Sequence, residues 1–251
     1  MSASELRPDD RAPNLWLSGE VVIGEVQIGA NVVIEGPARI GDGVVIEHGA
    51  LIGKRPTLAP HSSSGDVDSD DDETVIGERA TICAGAIIFA GARIGAGAII
   101  GDQSHVRERT VIGERTVIGR GSAVGADARV GDRVRIQTDA WLTSGIIIGD
   151  DVFIGPGVIT MNDNTMARLE PGGELPAPVV GRAARIGGGV LLTPGVKVGE
   201  EAFVGAGALV SHDVAPRERV FGVPARVVGE VGAEELLDRW RPPPTCATNP
   251  Q

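Results

Sequence analysis

From Ile76 onward every sixth residue is aliphatic at fourteen successive positions, through Ile82, Ile88, Ile94, Ile100, Val106, Ile112, Ile118, Val124, Val130, Ile136, Leu142 and Ile148 to Ile154. The fourth residue after each is small or β-branched, as at Ala80, Ala86, Ser104, Thr116 and Val152. A period of six is neither the 3.6 of a helix nor the plain alternation of a sheet, so the repeat itself is the structural unit. Each unit is expected to be a short strand followed by a corner. Three units make a triangular coil of about 18 residues, and coils stack with strands ~4.8 Å apart. The stack buries an aliphatic column that no coil buries alone, while glycine, 37 in all, is expected to supply the corner dihedrals.

One register through most of 251 residues implies a single elongated all-β domain. Aromatic content of 3% with no Tyr suits a column of Ile and Val and leaves little for a conventional globular core. A net charge of −11 argues against nucleic-acid partners. Cys83 and Cys246 form no disulfide framework and no CxxC metal pattern, and no metal is expected. With no signal-like N-terminus and no apolar run of about 18 residues, the expectation is a cytoplasmic protein with no membrane partner.

Residues 1–15 lead into the first coil, whose register begins at Trp16 and Val22 and continues through Ile28, Ile34, Ile40, Ile46 and Ile52. The repeat stops across residues 53–74, where Gly65 to Glu73 is strongly acidic. Asp66, Asp68 and Asp70 have the spacing that opens an EF-hand loop, but Asp71 stands where Gly is needed and Gly77 where Glu is needed, so a solvated loop is expected. A second interruption, residues 161–179, begins with Asn162-Asp163-Asn164; a long loop thrown out of a rigid stack is more often functional than idle. The register resumes at Val180 and runs to Val210, and Ala233 to Trp240 reads as a short helix that closes the open end, within a C-terminal segment 230–251.

Residues 18 apart occupy the same place on successive coils, so Ser144 and Asn162 are expected one above the other, about 5 Å apart and facing outward. Gln137, one unit earlier, is expected on the same outer surface near the root of the second loop. Asn162 has two readings, a turn-forming residue or an amide that orients a substrate.

The repeat resembles that of the hexapeptide-repeat acyltransferases over residues 16–229. The resemblance implies a left-handed parallel β-helix, here of about nine to ten triangular coils, active as a homotrimer. More narrowly, Ile136-Gln137-Thr138, the run Gly149 to Val158, Asn162-Asp163 and Arg168 are similar to the nucleotide-sugar 3-amino N-acetyltransferases. That similarity implies an acetyl-CoA donor, a nucleotide-linked amino sugar as acceptor, Asn162 beside the sugar amine, and Gln137, Ser144, Asp163 and Arg168 around the sugar. The chain departs from that group in having Ser144 where Glu is frequent. By the same resemblance, Gly187, Gly189, Lys197, Arg217, Arg219 and Arg226 are expected to meet the coenzyme, the glycines through backbone N–H groups and the cations at its phosphates.

Relatives that acetylate sugar hydroxyls carry a catalytic His in the second loop, and this loop has none. An amine acceptor is thereby favoured, since a neutral amine is nucleophilic once positioned. His105, outward on its unit, is the remaining candidate base, with His48, His61 and His212 less committed. Three rivals are an O-acetyltransferase of the same fold, a γ-type carbonic anhydrase, and a structural or binding β-helix. The carbonic anhydrase needs a His pair five residues apart, which the four histidines do not supply.

Overall fold

The computed structural model describes residues 5–57, 72–170 and 173–240. His61, Cys246 and all of the acidic run before Asp72 lie outside the described residues.

Within them the chain winds into a parallel β-solenoid with three faces. A typical coil runs from Arg93–Ile94 on sheet I, through Ile99–Ile100 on sheet II and His105–Val106 on sheet III, back to sheet I at Val111–Ile112. Sheet I has nine strands and sheets II and III eleven each. Strands pair with their neighbours 18 residues on, as Ile82↔Ile100 and Ile100↔Ile118, so one aliphatic residue per strand faces inward. Ile82, Ile100, Ile118, Ile136 and Ile154 are each fully buried in the resulting column.

Corners follow one plan, shown by Gly119-Arg120-Gly121-Ser122 after Ile118. The Gly119 N–H continues the ladder to the Ile136 carbonyl at 2.8 Å. A Cβ on Gly119 would stand 2.5 Å from the Gln137 carbonyl carbon, so close stacking of coils requires glycine there. The third corner residue has positive φ in all fourteen units, between 54° and 75°, yet in eight of them it is not glycine but Arg, Gln or Asp. This corrects the expectation that glycine supplies the turn dihedrals: it is needed as much for close approach. Longer residues at the third position reach the next coil instead, as in the paired contacts of Arg109 with Asp127 (2.7 and 2.7 Å) and Arg133 with Asp151 (2.9 and 3.0 Å).

The fourth corner residue turns inward, and where it is polar its hydroxyl is satisfied. Ser104, Thr110, Thr116 and Ser122 donate to the carbonyls of Gly119, Gly125, Gly131 and Gln137 at 2.7–2.9 Å. Thr74 occupies the same kind of position, fully buried, and its hydroxyl has no partner among the described residues.

Two expectations about the ends change. In the first coil Leu17 and Ile23 pair with Ile34 and Ile40, while Trp16 and Val22 face outward at 39% and 45% exposure. The corner between Ile23 and Ile28 is one residue short, and a one-residue slip exchanges the faces of a strand. At the other end a hairpin does the closing: Glu218–Phe221 adds to Phe203–Val204 and pairs antiparallel with Arg226–Glu230. The expected helix is a 3-10 turn, Ala233–Glu235, and one helical turn, Leu237–Trp240, folded against the flank of sheet II. Asp238 and Glu235 hold it there through Arg182 and Arg185, both at 3.4 Å, and Glu201 accepts the Leu237 N–H at 2.8 Å. Among the described residues no helix is long and apolar enough to cross a membrane.

The buried hydroxyls give a matched pair of tests. Thr116→Val removes a donor to Gly131 and an acceptor for the Val134 N–H (3.0 Å), and is expected to cost about 1–3 kcal/mol in chemical denaturation. Thr74→Val removes an unpaired hydroxyl of the same shape, and stability is expected to stay within about 0.5 kcal/mol of wild type or to rise.

Candidate functional site

Both interruptions leave the solenoid at the same edge. The strands Leu51–Lys54 and Ile159–Thr160 lie on sheet III, and the chain re-enters on sheet I at Thr74 and Val179. Five coil steps separate the two exits, roughly 24 Å along the edge.

At the second exit the aliphatic register gives way to Thr160, which is buried. Its hydroxyl accepts the Thr143 N–H at 2.8 Å and donates to the Trp141 carbonyl at 3.3 Å, fixing the root of the loop on the coil below. Two residues on, Asn162 stacks over Ser144 as the 18-residue spacing predicts, its Nδ2 donating to the Ser144 carbonyl at 3.3 Å. With the amide so anchored, Oδ1 meets no donor among the described residues. Asn162 is half-buried, so a carbonyl acceptor is held at the mouth of the loop.

Asp163 is committed to the loop itself. Its carboxylate accepts the Thr165 hydroxyl and N–H, both at 2.6 Å, and the Ala167 N–H at 2.7 Å. The Thr165 hydroxyl first, then these backbone N–H groups, hold the Asp163 carboxyl below the ordinary carboxylate range. Arg168 projects from the same loop, exposed and without an ion pair among the described residues.

Other expected residues lie apart from this edge. Gln137 follows a sheet II strand and sits at the edge between sheets II and III, so the width of sheet III separates it from Ser144. His105 faces out from the middle of sheet III, three coils before Ile159, or about 14 Å along the axis. Within one chain it does not reach Asn162. The outward row between them, Ala123, Trp141 and Ile159, is apolar, with Trp141 59% and Ile159 46% exposed.

The glycine corner and the cations are likewise distributed. Gly187 and Gly189 spend their N–H groups on the Val204 and Pro156 carbonyls, both at 2.8 Å, so neither is free to stabilise an oxyanion. Gly188 has the one N–H of the three without an acceptor among the described residues. Lys197 is exposed on sheet I. Arg217 turns back to the Val231 carbonyl at 3.3 Å, Arg226 to its neighbour Ala225 at 3.0 Å, and Arg219 pairs with Glu235. The four cations do not converge on one point.

Sequence reasoning passed over the sheet III–sheet I edge between the loops. There Arg107 makes paired hydrogen bonds, 2.7 and 2.9 Å, to the fully buried Glu108, and its guanidinium lies 4.9 Å over Phe89. The clue was Glu108 in a place that elsewhere carries residues such as Arg120 or Ala126, but nothing in the spacing told that it would be buried.

Cys83 also stands in company: its sulfur and carboxylate oxygens of Glu47 and Asp102 lie within 4.8 Å of one another. Among the described residues no histidine joins them, and both carboxylates already accept the Ala84 N–H, at 3.0 and 3.2 Å. Burial first, then the charges of Glu47 and Asp102, push the thiol up to about 11. A thiol raised in this way is a poor nucleophile near neutrality. At pH 8 alkylation of Cys83 is expected to run about a hundredfold slower than for a thiol of ordinary pKa, and to accelerate as pH approaches 11. Peptide mapping after timed iodoacetamide treatment reads this directly, and full labelling at pH 8 within the time of a free thiol control contradicts it.

Two family models match the chain: the bacterial transferase hexapeptide (six repeats), over residues 20–54, and the hexapeptide repeat of succinyl-transferase, over residues 179–211. Among solved structures the chain is similar to the UDP-N-acetylglucosamine acyltransferase of Francisella novicida, at 18% identity over 92% of this chain and 68% of that one, with a TM-score of 0.50. It is also similar to a hexapeptide-repeat-containing acetyltransferase of Vibrio cholerae complexed with acetyl coenzyme A, at 25% identity over 48% and 70% of the two chains, TM-score 0.42. A third is PerB of Caulobacter crescentus in complex with CoA and GDP-perosamine, at 24% identity over 50% and 57%, TM-score 0.26. Among curated proteins none matches the sequence.

Proposed function

We propose that this chain, whose repeats match hexapeptide transferase models over residues 20–54 and 179–211, is an acyl-CoA-dependent N-acyltransferase that transfers acetyl to the amine of a nucleotide-linked amino sugar. The observation that carries this reading is Asn162, whose Nδ2 is tied to Ser144 while Oδ1 is left open at the root of a loop that interrupts the repeat. An open amide carbonyl accepts an N–H of a neutral amine and turns the nitrogen lone pair toward a thioester.

The amine nitrogen then bonds to the thioester carbonyl carbon. The C–S bond breaks, and the thiolate departs with the proton that the nitrogen sheds, leaving an amide and free CoA. No base stronger than the leaving thiolate is required once the amine is neutral. The second loop, which carries no histidine, fits this demand. The tetrahedral oxyanion still needs a donor; Gly188 follows a sheet II strand and lies across sheet III from Asn162 of its own chain, so its N–H is our candidate when a neighbouring subunit supplies it. Arg168 is proposed to meet the acceptor's phosphates, Ser144 and Gln137 the sugar, and Asp163 to hold the loop in shape.

The working form is proposed to be a homotrimer. The exposed row of Trp141 and Ile159 on sheet III supports an interface there, and His105 on the same row would face a neighbouring subunit. Such an arrangement is the way His105 and Gln137 reach a site that includes Asn162 of another chain.

The test is release of free thiol from acetyl-CoA across a panel of amino-sugar nucleotides, amino acids and hydroxyl sugars. Asn162→Ala is expected to lower kcat/KM by about 30- to 1000-fold, the worth of one hydrogen bond of roughly 2–4 kcal/mol felt in the transition state, with the fold intact by circular dichroism. A deeper loss in His105→Ala would assign a histidine base and point to a hydroxyl acceptor. Silence across the whole panel would refute the acyltransferase reading.

A further inference from the structure

Sheet II carries a second constellation, on a different side of the solenoid. Its outward positions near the C-terminal end run Arg135, Phe153, Arg185, Phe203 and Arg219, each paired in register with the next. Against this ladder fold Ala233–Glu235 and Leu237–Trp240, and between them lies a cavity of about 430 Å³. Cavities of roughly 300–1,000 Å³ are of the size that takes small ligands. In a triangular coil the sheet III–sheet I edge that bears Asn162 is opposite sheet II, so the cavity is not part of the candidate transfer site.

Arg135 and Arg185 face Asp151, Glu201 and Glu235 around the cavity, and each carboxylate is already engaged. The carboxylate of Glu235 is shared between Arg185, at 3.4 Å, and Arg219. Glu201 is occupied with the Leu237 N–H, and Asp151 with Arg133. Arg135 forms no ion pair among the described residues. The Arg185 Nε and Nη2, the two donors along one edge of the guanidinium, are shielded from solvent and have no acceptor among the described residues. A shielded donor left unpaired is costly, the more so on a cation. Two oxygens of a phosphate or carboxylate match such an edge.

The remaining walls are flat and apolar. Phe153 sits in the ladder between Arg135 and Arg185, and Trp240, 73% exposed, stands at the rim. The neighbouring Phe203 already shows how the ladder receives planar groups: Arg185 and Arg219 lie 5.3 and 4.8 Å from its ring centre. Aromatic faces beside an unpaired guanidinium suit a ligand that joins a planar ring to an anion.

We propose that this cavity is a second ligand site that binds a nucleoside phosphate, the base against Phe153 and Trp240 and the phosphate on Arg185 and Arg135. The site stands on its own geometry and does not depend on the acyl acceptor. Gly187 and Arg219, which the resemblance assigned to the coenzyme, lie on this face, so the experiment must tell a free nucleotide site from the donor's own pocket.

Isothermal titration of the full-length protein with adenosine and guanosine monophosphates, inorganic phosphate and coenzyme A makes that distinction. At least one monophosphate is expected to saturate one site per chain, about tenfold or more tighter than inorganic phosphate, and to bind equally with coenzyme A present at saturation. Arg185→Gln is expected to weaken it about tenfold or more. Arg135→Gln, an exposed residue with no ion pair to lose, is expected to do the same without touching the fold, and Trp240→Ala to weaken it several-fold. Asn162→Ala is expected to bind the monophosphate as wild type does. No heat with either nucleotide, equal affinity for phosphate, indifference to Arg135→Gln, displacement by coenzyme A, or loss of binding in Asn162→Ala would each overturn the proposal.

Discussion

Stacking of one coil on the next, with backbone ladders about 4.8 Å apart and one aliphatic residue per strand turned inward, is the interaction on which everything else rests. A coil alone has no interior; Ile100 is buried because Ile82 and Ile118 lie on either side of it. That demand fixes the corners. Gly119 has no side chain because the backbone at Gln137 stands where a Cβ would go, and Ser122 turns its hydroxyl inward only because the Gln137 carbonyl accepts it at 2.9 Å. Stability in such an array is a sum over neighbouring coils, so an insertion is tolerated wherever the ladder on both sides can close without it.

The two interruptions are such places, and both open at the sheet III–sheet I edge. A rigid ladder beneath a loop is a means of holding a polar group still. Thr160 substitutes a hydrogen-bonded hydroxyl for an aliphatic side chain at the loop root, and Asn162 is anchored by one amide nitrogen so that its oxygen is left over. The positioning is done by the backbone of the preceding coil, which is why a residue on a loop can be held as firmly as one on a strand.

The fold was legible because a period of six admits one arrangement of faces, and the stacking of Ser144 under Asn162 followed from it by counting 18. What counting missed were places where the count changes or where a side chain crosses it. The short corner after Ile23 exchanges Trp16 for Leu17 and Val22 for Ile23, and nothing in the pattern of apolar residues marks it, since Val21, Val22 and Ile23 are alike in kind. Gln137 was expected beside Ser144 because the two are close in sequence, whereas a corner lies between them and sets them on different edges. The basic set was dispersed for the same reason: Lys197 and Arg219 are close along the chain but lie on sheets I and II. The Arg–Phe ladder of sheet II escaped notice because it is written one residue ahead of the aliphatic register, at intervals that the second loop stretches.

A structure of this chain bound to coenzyme A would show where the thioester sulfur lies. The sulfur is expected at the sheet III–sheet I edge, beneath the second loop, with the Asn162 amide carbonyl facing the space where an amine would approach it. A sulfur seated elsewhere, with Asn162 turned only into the backbone of its own loop, would contradict it.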